Sequence, residues 1–155
     1  MNKIDKCVKK LIEKDISISF AESCTGGALA SRLTKVSGVS KILSESFVTY
    51  SNESKVSLLK VKAETIDEFG VVSSEVAKEM ARGLKDKTNS RLVVSVTGNA
   101  GPTLGDKSKE LGEVYVSIIL DSYEDSFKLQ LKGTRKHIIN KIVDIIFSEI
   151  SDLID

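Results

Sequence analysis

One hundred and fifty-five residues, 41% of them hydrophobic, make one domain of ordinary size, residues 1–155. A chain this long can bury roughly 68–70% of the surface it exposes when unfolded, so its core needs no disulfide or metal. Twenty-three Lys and Arg against 22 Asp and Glu leave +1, with five Phe, three Tyr and no Trp. That is neither the basic excess nor the aromatic stock of a dedicated nucleic-acid binder.

Ile4, Cys7, Val8, Leu11 and Ile12 recur at helical spacing, which predicts an amphipathic helix from Asn2 to about Asp15. Ile16 to Ala21 alternates as a strand does, and Glu22-Ser23-Cys24-Thr25-Gly26-Gly27 then turns into a helix over Ala28 to Val36. Lys41 to Tyr50 reads as a second strand, followed by a helix for which Ser51 is the expected cap. Ala63 to Phe69 is a short helix stopped by Gly70. Ser73 or Ser74 then caps a helix reaching about Lys87, with Val76, Ala77, Met80, Ala81 and Leu84 on its inner face.

Arg91 to Val96 is almost continuously apolar, as a strand covered on both faces must be. A turn over Thr97 to Pro102 and a polar loop over Thr103 to Leu111 follow. Gly112 to Leu120 and Phe127 to Leu131 are strands joined as a hairpin through Asp121 to Asp125, and a last helix runs from about Thr134 to Leu153. Strands alternating with helices and ending in an adjacent pair predict an α/β fold, a three-layer α/β/α sandwich with a mixed β-sheet.

Cys7 and Cys24 form no CxxC, and the single His137 cannot build a histidine-rich site, so no metal is expected. The N-terminal segment spaces its apolar residues along a polar helix instead of massing them as a leader does, and no run approaches a membrane span. A cytoplasmic setting with reduced cysteines is the expectation.

Three small-residue turns follow three apolar strands, where ligands bind in open α/β sheets. If those strands are parallel neighbours, Ser23, Tyr50, Lys55 and Thr97 converge on one crevice. Gly26 and Gly27 allow amides to approach a phosphate or oxyanion, although a plain helix cap explains them equally well. His137 sits in a helical pattern with no catalytic signature. A base for a serine would then be Lys55, if partly desolvated, with Tyr50 to relay its proton or orient it, although spacing alone favours a strand-end tyrosine and a solvated helix lysine. A thiol nucleophile at Cys24 beside Glu22 is an open alternative to Ser23. Ser57-Leu58-Leu59-Lys60 has the Ser-x-x-Lys spacing of penicillin-binding enzymes, but their partner motifs are missing.

Ala21-Glu22-Ser23-Cys24-Thr25-Gly26-Gly27, Phe47-Val48-Thr49-Tyr50-Ser51-Asn52-Glu53-Ser54-Lys55, Gly70-Val71-Val72-Ser73 and Thr97-Gly98-Asn99-Ala100-Gly101-Pro102 occur in that order. Together with Gly112-Glu113-Val114-Tyr115 and Gly133-Thr134-Arg135, they closely resemble the C-terminal domain of the competence-damage-inducible protein CinA. The resemblance implies nicotinamide-nucleotide amidohydrolase activity, in which the carboxamide of nicotinamide mononucleotide becomes the acid with release of ammonia. No redox cofactor is implied. By resemblance Ser23 is the nucleophile, with Tyr50 and Lys55 as catalytic companions. Thr25, Gly26, Gly27, Thr97, Gly98, Gly101 and Arg135 are then expected around the substrate, with Arg135 or the Gly98–Gly101 turn facing its phosphate.

The chain departs from the family at Asn99, where a branched apolar residue is common, and at Thr103-Leu104, where glycine is common. That loop keeps a second reading open: a nucleotide-binding module of little turnover, partnering competence or DNA-damage proteins. A homodimer that completes the pocket is left open too.

Overall fold

Asn2, Ser51, Ser73 and Thr134 each turn a side-chain oxygen onto the amide three residues ahead, at Asp5, Ser54, Val76 and His137. These caps satisfy donors that a helix start leaves orphaned, so four of the six helices begin where short polar residues allow it. A computed structural model describes residues 1–155. The elements in chain order are α1 (Lys3–Glu13), β1 (Ile18–Glu22), α2 (Ala28–Leu33), a 3-10 turn (Val39–Lys41), β2 (Phe47–Val48) and α3 (Asn52–Leu59). They continue with α4 (Ala63–Phe69), α5 (Ser74–Thr88), β3 (Leu92–Gly98), β4 (Glu113–Leu120), β5 (Tyr123–Gln130) and α6 (Arg135–Ile154).

The sheet order is β2-β1-β3-β4-β5. The first three strands are parallel, while β4 and β5 run antiparallel to their neighbours. Alternation along the strands divides the core in two. Ile18 and Phe20 of β1, with Leu92, Val94 and Val96 of β3, pack with α1, α2 and α6 on one face. Ala21 and Val93 pack with Leu59 of α3 and Val76, Met80, Ala81 and Leu84 of α5 on the other. This is the three-layer mixed sandwich that the strand and helix order implied.

The structure corrects several element boundaries. The expected strand Lys41–Tyr50 contracts to Phe47–Val48, with one further bridge between Leu43 and Ile18. Between these contacts the Ser46 hydroxyl, not a main-chain carbonyl, accepts the Phe20 N–H (3.0 Å), so the ladder is interrupted. Glu22 closes β1 instead of opening the turn, and α2 stops at Leu33, short of Val36. In the hairpin, Asp121 adopts a φ of 54° and turns the chain within two residues, so β5 begins at Tyr123 instead of Phe127.

One close approach fixes the seating of α5 on α3. A Cβ on Gly83 would stand 1.7 Å from the Leu59 carbonyl oxygen. Gly83→Ala must push the two helices apart, and we expect a loss of about 1–3 kcal/mol, read as a lower urea midpoint. An unchanged midpoint would show that α3 yields freely.

Candidate active site

Because β2, β1 and β3 are parallel neighbours, the chain leaves all three at the same edge of the sheet. Ser23 follows β1 directly and is held by its own amide, which donates to the Val96 carbonyl of β3 (3.2 Å). Thr97 and Gly98 end β3 beside it. Lys55 lies in the first turns of α3, which starts four residues after β2.

Lys55 is 1% exposed, rare for a side chain that carries a charge in water. Its Nζ donates to Ser23 Oγ (3.0 Å) and to the carbonyls of Thr49 (2.7 Å) and Tyr50 (3.3 Å). The two carbonyls can only accept, so they hold two of the lysine's N–H groups. A neutral Lys55 therefore has its lone pair free to face the hydroxyl of Ser23. Burial lowers its pKa from the ordinary 10.5 to about 8. Burial pushes the neighbouring Cys24 thiol the other way, up to about 12. Between the two candidate nucleophiles, the lysine is hydrogen-bonded to the hydroxyl of Ser23, while the thiol of Cys24 stays protonated near neutrality.

The Ser23–Lys55 pair opens into a cleft of about 270 Å³. Tyr50, Thr97, Gly98 and Arg135 also line it, as expected from the sequence. Arg135, the first residue of α6, donates to the Gly101 carbonyl (2.8 Å) and to Tyr50 Oη (2.7 Å). Tyr50, 59% exposed, thus stands at the rim with its hydroxyl on Arg135, and only its main-chain carbonyl reaches Lys55. That geometry does not match a proton relay through the phenol. Thr97 Oγ1 donates to the Val71 carbonyl (3.0 Å), so it holds the cleft wall. Gly98 lies so close to β4 that a Cβ would sit 2.8 Å from the Val114 side chain. Gly101 is outside the lining and touches the site through its carbonyl to Arg135.

Thr25, Gly26 and Gly27 are placed differently from the expectation, because none lines the cleft. The buried Glu22 carboxylate takes the donors there: Thr25 Oγ1 (2.6 Å), the Leu29 amide (2.9 Å) and the Ala30 amide (3.0 Å). Gly26 N–H donates to the Ser23 carbonyl (3.0 Å). The turn wraps Ser23 and leads into α2, whose Leu29 and Ala30 amides are already taken by Glu22. His137 is exposed on α6, outside the lining.

Asn99 and Thr103 line the cleft wall, where the departures from the family pattern place them, whereas sequence reasoning missed Asn52, Val71, Val72, Ala100 and Gly105 as lining residues. Val71 and Val72 reach the cleft from the segment before α5, inside the Gly70–Ser73 motif, which sequence reasoning did not assign to the site. Asn52 carries a local signal: it stands three residues before Lys55, and that spacing puts both on one face of a helix. The lining contains two cations, Lys55 and Arg135, and no carboxylate.

Known proteins match this chain in sequence and in fold. The profile of the CinA C-terminal domain family matches residues 2–154. A CinA-like protein of Petrotoga mobilis is 46% identical over 93% of this chain and 36% of its own length. One of Fusobacterium nucleatum is 48% identical over 88% of this chain and 33% of its own. The chain thus spans about a third of the length of these curated relatives. Among solved structures, a competence/damage-inducible protein of Agrobacterium tumefaciens superposes with a TM-score of 0.91 at 30% identity, covering 100% of this chain and 98% of that one. A CinA superfamily protein of Escherichia coli gives 0.93 at 26%, covering 98% and 88%.

Proposed function

Because the chain belongs to the CinA C-terminal domain family, we propose that it is a serine amidohydrolase that deamidates nicotinamide mononucleotide. The observation that carries this reading is the buried Lys55 Nζ at 3.0 Å from Ser23 Oγ in a cleft lined by two cations and no carboxylate. Neutral Lys55 takes the proton of Ser23 as Oγ attacks the carboxamide carbon. The amide of Cys24, next in the chain after the nucleophile, is the donor this reading assigns to the oxyanion. Lys55 then gives its proton to the departing nitrogen, and ammonia leaves an ester on Ser23. Water, deprotonated by Lys55, attacks that ester; as the bond to Oγ breaks, Lys55 returns the proton to Ser23, and the acid product leaves and ionises. Arg135 at the rim suits the phosphate of the mononucleotide.

Ammonia release from nicotinamide mononucleotide by the purified wild-type protein tests the reading. Cys24→Ala keeps the main-chain amide and removes the thiol, so it should retain turnover within about threefold, a barrier change well under 1 kcal/mol. Activity lost with the thiol would transfer the nucleophile to Cys24. Binding without ammonia release by the wild type would replace the enzyme with a nucleotide-binding module.

A further inference from the structure

The cleft has an outer wall made of two segments that are distant in sequence, and both are tied by one set of polar side chains. Asn99 is 1% exposed and spends its whole carboxamide on the loop that follows it. Its Nδ2 donates to the Asp106 carbonyl (2.8 Å), with longer contacts to the carbonyls of Lys109 and Glu110 (both 3.4 Å), and its Oδ1 accepts the Asp106 amide (3.1 Å). This fold delivers two charged side chains to the segment between α4 and α5. Asp106 Oδ2 accepts the Val72 amide (3.1 Å), while its Oδ1 accepts the Ser108 amide (3.0 Å) and hydroxyl (2.5 Å). Lys109 Nζ donates to the carbonyls of Phe69 (2.7 Å) and Val72 (2.8 Å). Gly70 lets the carboxylate in, since a Cβ there would stand 2.4 Å from Asp106 Oδ2. Val71 and Val72 line the cleft from one side, and Asn99, Thr103 and Gly105 line it from the other.

We infer that Asn99, Asp106 and Lys109 form a clasp that holds these two walls together and sets the affinity of the site for its ligand. Asp106 and Lys109 are positioning residues: neither lines the cleft or touches Ser23 or Lys55. The substrate part of the inference rests on the amidohydrolase reading, whereas the clasp itself does not. A charge-assisted bond that ties one wall to the other biases closed over open walls. When the competent arrangement becomes a minor fraction, apparent affinity falls by that fraction.

The test uses Asp106→Ala, Lys109→Met and Asp106→Asn in the full chain. Asp106→Ala and Lys109→Met should raise KM for nicotinamide mononucleotide about tenfold, as for a competent state reduced to a tenth, while kcat stays within about threefold. Asp106→Asn keeps an oxygen for the Val72 amide and should restore most of the KM. Deuterium uptake should rise in both residues 69–73 and residues 103–111 for each of the first two variants, without any ligand. A fall in kcat at constant KM, or uptake that rises in one segment alone, overturns the clasp. If the wild type releases no ammonia, the amidohydrolase reading fails and the uptake of the two segments still decides the clasp.

Discussion

Ser23→Ala and Lys55→Arg each lower kcat for ammonia release from nicotinamide mononucleotide by about 10³-fold or more, and their effects do not add in the double variant. Alanine removes the only hydroxyl within reach of Lys55 Nζ. Arginine keeps the positive charge and the donors but does not lose its proton in a protein, so it cannot serve as the base. Non-additivity follows because nucleophile and base act as one unit. The same pair sets the pH profile: kcat/KM rises with pH as Lys55 deprotonates and levels above its pKa of about 8. Circular dichroism and ligand binding of Ser23→Ala, matching the wild type, separate lost chemistry from lost folding. Turnover surviving in Lys55→Arg would assign the base to another group.

Much of this site was legible because its parts carry local signatures. Ser51 and Ser73 mark helix starts, and the apolar run of β3 marks a strand covered on both faces. Ser23 and Lys55 are 32 residues apart, yet each sits just after a recognisable strand, so the parallel-sheet rule brought them to one edge. What remained hidden depends on side-chain direction and on contacts between distant segments. Thr25, Gly26 and Gly27 have the composition of an anion loop, but the Glu22 carboxylate occupies the donors beyond them. Tyr50 has the right position for a relay, and its ring turns to Arg135 because the rim offers a cation there. Asn99 reads as a departure from the family pattern. Its role in folding the loop emerges only when the partners seven to eleven residues away are seen.

The stability of the wild type, compared with Lys55→Met, should increase with pH between about 8 and 10.5. Folding lowers the pKa of Lys55 from 10.5 to about 8 by burial. In that window the unfolded chain binds a proton that the folded chain does not, so the linkage slope is positive. Below about pH 8 both states hold the proton and the full penalty for the buried charge persists. Above 10.5 neither holds it and the penalty is gone. Over the whole interval the gain is roughly 3 kcal/mol. The methionine variant has its own constant penalty, because it strands the carbonyls of Thr49 and Tyr50, so the diagnostic quantity is the slope of the difference. Tyr115, held up to about 12, is common to both proteins and largely cancels. Cys24 interacts with Lys55 and does not cancel, which makes a Cys24→Ala background the right one for both. Urea unfolding at pH 7.5, 9 and 10 measures the difference. A difference that is flat over that range means that Lys55 keeps its proton in the folded protein, and a lysine that keeps its proton at pH 9 cannot be the base for Ser23.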